Sequence, residues 1–403
     1  MRPADDFLRS LRGTLPASTL EHLDAAIGRI AAAKEKGKRV AVVTGSGPNI
    51  HEGVTTLIAE LIRKEVVDGV ITSSAVVAHE MGGTLDRVWR VAADCSMGLP
   101  VPLDVLPRGG GFEVTQLDAA QRESVAKEMP DGWDIYDALL ASPGQSVVKA
   151  AGNMAWPMGL RTERLAREIQ SAAAQYGVSL ERFAGFGADP MTIIGAGARR
   201  GIPVVVSIPQ LIGGGAVGLA IGDTWSISRR ARGIAELLAS ADVIVESAIA
   251  LTQEIHDGPF ETYTGHGIWA AWDHLPTYSL QGKTLVRIDL DRNLERAWQL
   301  ERTGCDVQNA VDKGLPKTKS TGIPFRMEMS GFARLETSIP VTADIGVAWP
   351  LIAAGLEERL GIRLDFLSAP QESEHGKRMR EWIADDIRFL DREEMYRQAR
   401  RVL

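Results

Sequence analysis

The stretch from Lys38 to Met81 limits the folds open to this chain more than any other. It begins with a short apolar run, Val40 to Val43, rich in β-branched residues and bounded by Gly37 and by Gly45 and Gly47. Such a run predicts a strand buried in a parallel sheet. A glycine turn follows, Thr44-Gly45-Ser46-Gly47-Pro48-Asn49, and then a helical pattern of Leu57, Ile58, Leu61 and Ile62 with Glu60, Arg63 and Lys64 interleaved. A second apolar run, Val70-Ile71, ends in Thr72-Ser73-Ser74. This is one βαβ unit, with parallel strands and a right-handed crossover. In open α/β sheets ligands sit beyond the carboxyl ends of the strands. Both strands here lead through small, hydroxylated residues to a histidine and an acid: His51-Glu52 after the first, His79-Glu80 after the second. Small residues let a ligand's phosphates or ring approach the backbone, and an acid can hold a pair of ribose hydroxyls.

The rest of the chain continues the alternation. Residues 1–37 form an N-terminal extension with one helix, Thr19 to Lys36, carrying Leu20, Leu23, Ile27, Ile30 and Ala31 on one face. A helix is expected around Leu85 to Val91, and Gly98 to Gln145 carries a weak signal read as a lid or an oligomer contact. Residues 146–175 read as a connector followed by a helix from Thr162 to Ala174. A helix from Asp189 to Arg200 leads to a strand, Gly201 to Ser207, and then to a strand-end glycine loop, Gly213-Gly214-Gly215. A helix from Thr224 to Ala239 precedes the strand Val243 to Ser247, with Glu246 at its carboxyl end. That acid is either a ligand contact or a helix cap. Strands from Leu285 to Asp291 and from Ser338 to Gly346 follow, then a helix from Val347 to Leu360 and a charged helix pair from Gln371 to Arg400. The expected fold is α/β and doubly wound, with a mostly parallel sheet over residues 38–360 and helices on both faces. Residues 361–403 form a helical tail. The tripeptide Gly195-Ala196-Gly197 with Gly201 imitates a dinucleotide fingerprint, but its spacing is wrong and it precedes a strand.

With a net charge of −7 and scattered Lys and Arg, the 403-residue chain offers no electrostatic case for nucleic acid or an anionic membrane. Cys95 and Cys305 have no CxxC or zinc spacing, which suggests a reducing compartment. The start of the chain lacks an apolar signal region, and no window approaches the length a membrane helix needs. A cytoplasmic protein is expected. The polar hot spot of the second half runs from Gln253 to His274 and gathers His256, His266, His274, Glu254, Asp257, Glu261, Tyr263, Trp269 and Trp272. It has no HExxH spacing, so no metal is expected there.

The order of segments resembles the NAD-binding superfamily that holds deoxyhypusine synthase and the archaeal and cyanobacterial type of ornithine cyclodeaminase. The cyclodeaminase branch is similar at His51-Glu52-Gly53, at Ala59 to Arg63 and Val67-Asp68-Gly69, and at Ala75 to Glu80. It is also similar at Ala241 to Val245, Lys283 to Asp289 and Thr342 to Gly346. Deoxyhypusine synthase is similar at Gly152-Asn153-Met154, Gly201 to Val204 and Val341 to Pro350. The resemblance implies a Rossmann-like sheet, a bound NAD, and a small amine or amino acid of polyamine or ornithine type that passes through an imine. It also implies a site at a subunit interface, hence a homodimer or homotetramer. Such chemistry needs a dry pocket for the nicotinamide, a base for the ammonium proton, and acids for a cationic substrate. The chain offers His79 or His256 as base, and Glu80, Glu246, Asp257 and Glu261 as anchors. The expected cofactor contacts are Gly45, Ser46, Gly47, Thr72, Ser73, Ser74, Glu80, Gly213, Gly214, Gly215, Asp289 and Asp344.

Departures qualify this. Deoxyhypusine synthase carries a nucleophilic lysine before the strand that ends at Asp344, whereas here Gly331 to Arg334 holds none and no lysine lies between Lys319 and Lys377. Arginine is too basic to form an imine in its place. Modification of a translation-factor lysine is therefore disfavoured. Two alternatives stay open: a non-redox lyase or hydrolase using the His256 cluster, and an NAD- or polyamine-binding protein without catalysis.

Overall fold

The computed structural model describes residues 3, 5–92, 112–152, 155–207, 211–248, 261–262, 266–303, 313–314 and 336–403. Its centre is a six-stranded parallel sheet made of β1 (Val40–Thr44), β2 (Gly69–Thr72), β6 (Val204–Val206), β7 (Val243–Ser247), β8 (Thr284–Asp289) and β9 (Ser338–Thr342). The strand order is β6-β2-β1-β7-β8-β9. Numbered by appearance within this sheet, that is the 3-2-1-4-5-6 order of doubly wound dinucleotide-binding folds, with its switch point between β1 and β7.

Alternation along each strand feeds two cores. Val40, Val42, Val70, Val243, Val245 and Val286 point to one face, under α2 (Ala17–Glu35), α4 (Val54–Arg63) and the helix Ile345–Leu360. Ala41, Val43, Ile71, Ile244 and Leu285 point to the other, under the helix Ile227–Ser240. Burial on both sides explains why these strands read as unbroken β-branched runs. Residues 1–37 hold two helices rather than one: α1 (Asp5–Gly13) packs on Ile345–Leu360, and α2 packs on that helix and on β9.

Between β2 and β6 the chain builds a second, antiparallel sheet, β4-β3-β5, from β3 (Leu85–Val91), β4 (Phe112–Thr115) and β5 (Gly144–Ala150). This corrects two expectations. Leu85, Val88 and Val91 are spaced three apart and imitate a helix, yet the segment pairs with β5 from Leu85↔Ala150 to Val91↔Gly144. Val88, Trp89 and Val91 favour the pleated state, and cover on both sides of the strand removes simple alternation as a signal. The connector expected from residue 146 is in its first part β5. The helices Ala119–Glu128 and Trp133–Ala141 complete this unit around Tyr136, Trp133 and Trp156.

The glycine loop expected at Gly213 to Gly215 lies instead within a helix, Leu211–Thr224. The glycines allow close packing, because a Cβ on Gly214 would stand 2.4 Å from Ser74 Oγ. The first turn is irregular, with Gly215 at φ +53°. No helix among the described residues is long and apolar enough to cross a membrane.

Candidate functional site

β1 runs into a turn whose backbone only glycine adopts readily: Gly47 sits at φ 66°, ψ −116° and leads into the short helix α3 (Pro48–His51). Nothing lies within 4 Å of where a Gly47 side chain would be, so the backbone is open at that residue. Across the switch point, Ala248 follows β7 at φ 71°. The two strand ends are tied together by a short hydrogen bond from Ser247 Oγ to Asn49 Oδ1, while Trp349 Nε1 donates to Ser247 Oγ at 2.8 Å. Thr44 and Thr72 end β1 and β2 with fully buried side chains, and neither Oγ1 has a hydrogen-bond partner among the described residues. Buried polar atoms of this kind call for a partner. An open glycine turn beside two such hydroxyls, at the switch point of this sheet, fits a dinucleotide.

Past these strand ends the chain gathers several ionisable groups shifted by burial. α3 presents His51, and α5 (Ser74–Met81) presents His79. His79 Nδ1 donates to the Ala151 carbonyl at 2.5 Å. A carbonyl only accepts, so Nδ1 carries the proton and Nε2 is the basic nitrogen of the neutral ring. Burial holds the His79 pKa below its ordinary value, and the nearby Lys149 charge pushes the same way against the Ala151 bond. His51 is also lowered, first by burial and then by Arg380, His79 and Lys149. Arg380 reaches in from the tail helix Glu374–Asp386, making a long 3.5 Å contact with His51 Nδ1 and a short hydrogen bond to the Val148 carbonyl. Lys149 stands on β5 with Nζ 2.5 Å from Glu113 Oε2.

Carboxylates form the other edge. Glu52 is buried, and a Cβ on Gly346 would lie 2.3 Å from its Oε2, so the missing side chain at Gly346 makes room for it. The Gln371 N–H donates to Glu52 Oε2 at 2.7 Å. Burial raises the Glu52 pKa to about 7, helped by Asp344 and Glu372 and opposed by Gln371. Asp344 caps the helix Ile345–Leu360 by accepting from Gly346 N at 2.7 Å, and it too is raised, chiefly by burial. Neutral histidines and a carboxyl group titrating near neutrality make a site able to move protons.

Several expected contacts lie elsewhere. Glu80, expected to hold a ribose, is fully buried and accepts from Ile193 N at 2.8 Å and Ile194 N at 3.0 Å, so it anchors the start of the helix Ile193–Arg200. Glu246, weighed as a ligand contact or a helix cap, is buried against Arg287 of β8 at 2.6 Å. Ser73 caps α5 through Val76 N, and Asp289 accepts from Asp291 N at 2.8 Å in the turn after β8. Ser74 packs against Gly214, so those two residues leave no space between them for a ligand. Glu261 is buried in a bridge to Tyr278. His256 and Asp257 lie outside the described residues. Among the described residues no group of His, Cys, Asp and Glu is arranged to hold a metal ion.

Lys149 and Arg380 were not singled out from the sequence. Lys149 hid in a segment read as a connector, and Arg380 in one of the charged helices expected from Gln371 to Arg400. A strand pattern over residues 144–150 would have revealed Lys149; no local signal marks Arg380.

No family model matches the chain, and no curated protein matches it. Among solved structures it is similar to ArgZ, an arginine dihydrolase of the cyanobacterial ornithine-ammonia cycle, at 12% identity and a TM-score of 0.39 over 85% of this chain and 32% of ArgZ. A conserved LOR/SDH protein from Methanococcus maripaludis S2 aligns at 12% identity and a TM-score of 0.39, over 86% of this chain and 71% of that one. AgrE, captured with ornithine and NAD+, aligns at 15% identity and a TM-score of 0.38, over 85% of this chain and 33% of AgrE. The chain thus spans about a third of the length of ArgZ and AgrE. Likeness at this level speaks to neither ligand nor reaction.

Proposed function

We propose that this chain is an NAD-dependent enzyme acting on a small amine or amino acid, with the dinucleotide across the carboxyl ends of β1, β2 and β7. The observation that carries this reading is the pairing of His51 and His79 beyond the first two strands of a sheet with dinucleotide-binding strand order. Gly47 would take the cofactor against open backbone, with half-buried Ser46 and buried Gly45 behind it, and Thr44 and Thr72 would offer hydroxyls. When bound, the nicotinamide supplies a hydride acceptor for the carbon bearing the substrate nitrogen.

The chain's own residues do the rest. An ammonium must lose a proton before that carbon can give up hydride, and His79 is held in the tautomer whose Nε2 accepts one. Burial, with Lys149 at both rings and Arg380 at His51 alone, favours the neutral imidazoles that can accept a proton. Glu52 and Asp344 supply negative charge toward an arriving cation, whose approach favours their ionised forms.

The test is direct. The purified protein is heated, released NAD is measured by enzymatic cycling, and ammonia and NADH are followed with amino acids and diamines. Bound NAD together with turnover of at least one substrate is expected. Ammonia release that needs no NAD would move the chain to the non-redox lyase reading. Bound NAD without turnover across the panel would leave a binding protein.

A further inference from the structure

A hollow open to solvent lies where the small antiparallel unit meets the helix Met158–Tyr176. It is half-open, has a volume of about 510 Å³ and is lined mainly by apolar side chains: Phe112, Met129, Ile135, Leu139, Trp156 and Leu160. That volume is in the range of small-molecule sites. Its shape is built in. Gly132 sits at φ +89°, and a Cβ there would stand 2.9 Å from Trp156 Cζ2, so glycine lets the indole lie over the turn. The Trp156 backbone is itself fixed, donating to Glu113 O at 3.0 Å and accepting from Thr115 N at 2.9 Å.

Charge at the rim is specific. Glu113 is already compensated, by Arg90 at 2.8 Å and Lys149 at 2.5 Å. Arg164 lies one helical turn past Leu160, is exposed, and makes no ion pair or hydrogen bond among the described residues. An apolar hollow with an uncommitted guanidinium at its mouth suits an amphiphile whose head is an anion. Asp131 also borders the cavity, on the turn, and would repel such a head.

We propose that this cavity binds a small aliphatic or aromatic carboxylate, its apolar body against Trp156 and Phe112 and its carboxylate on Arg164. Glu113 forms part of the wall and is held there by Lys149 and Arg90.

The experiment uses the full chain with anilinonaphthalene sulfonate as fluorescent probe and octanoate and octanol as competitors. Saturable probe binding displaced by octanoate is expected. Arg164→Glu, an exposed change whose fold is checked by circular dichroism, should weaken octanoate about tenfold and leave octanol unchanged. Asp131→Asn should tighten octanoate. Leu160→Trp, which fills the mouth, should reduce probe binding. Equal octanoate affinity in the wild type and Arg164→Glu, or absence of saturable probe binding, would overturn the proposal. Every outcome is read without NAD or turnover, so it is independent of the function proposed above.

Discussion

Arg287 donates its Nε–H to Glu246 Oε2 at 2.6 Å between neighbouring strands β8 and β7, and both side chains are shut off from solvent. The two are register partners in the sheet, on the face that carries Ile244 and Leu285. A buried pair of this kind contributes little against an apolar replacement but costs heavily when one half is removed. Glu246→Ala is therefore expected to lose about 3–5 kcal/mol in urea unfolding, because it removes the acid that faces buried Arg287 across the two strands. Glu246→Leu combined with Arg287→Met should recover most of that loss. A Glu246→Ala protein as stable as the wild type would return this acid to the list of ligand contacts.

Glu80 makes a parallel case. Its two oxygens hold Ile193 N and Ile194 N, two of the N–H groups that a helix start leaves without intrahelical partners. Burial pushes its pKa up to about 8, against the pull of those two hydrogen bonds. Glu80→Ala leaves both donors buried and unmet, at about 1–3 kcal/mol each. Reduced stability with unchanged NAD retention per folded molecule is expected. Full stability with loss of NAD would instead make Glu80 a cofactor contact.

These two acids show where the sequence was informative and where it was silent. The strands of the large sheet were legible because burial on both faces demands β-branched runs closed by glycine, as at Val40 to Val43. The convergence of His51 and His79 was legible too, because one βαβ unit must bring its strand ends together. What escaped was everything that depends on distant partners. Glu80 finds its donors 113 and 114 positions away, and Arg380 meets His51 across 329. Nothing local distinguishes an acid that caps a remote helix from one that waits for a ribose. β3 failed for another reason, since the spacing of Leu85, Val88 and Val91 satisfies a helical period while the pairing energy of β5 decides the outcome.

The histidine pair yields a prediction that needs no substrate. Burial is the first cause of the lowered pKa at both rings; Lys149 adds to both, whereas Arg380 adds only to His51. By ring-proton NMR titration both should titrate below 6.5. Arg380→Met should raise His51 toward that value and leave His79 in place, and Lys149→Met should raise both. A native ring that binds its proton less tightly than the unfolded ring costs stability as pH falls below about 6.5. Titrations unmoved by either variant would show that the two cations do not set the protonation of this site.

Asp86 supplies the opposite sign. It lies on β3, accepts from Thr115 Oγ1 at 2.7 Å, and is raised by burial from 3.8 to about 7 despite that bond and Lys149. The native state therefore holds this proton where the unfolded chain has released it. Stability contributed by the group is present below about 3.8 and is lost as pH climbs to about 7, with no further change above. Asp86→Asn keeps an oxygen for Thr115 and has no charge to bury. Its unfolding free energy, measured in urea across that window, should lack the wild-type decline, with a difference on the order of a few kcal/mol at the alkaline end. The benefit should vanish at the acid end, where the wild-type carboxyl is neutral in both states. Parallel curves through the window would mean that Asp86 is ionised in the folded protein and that the adjoining Lys149 compensates it fully.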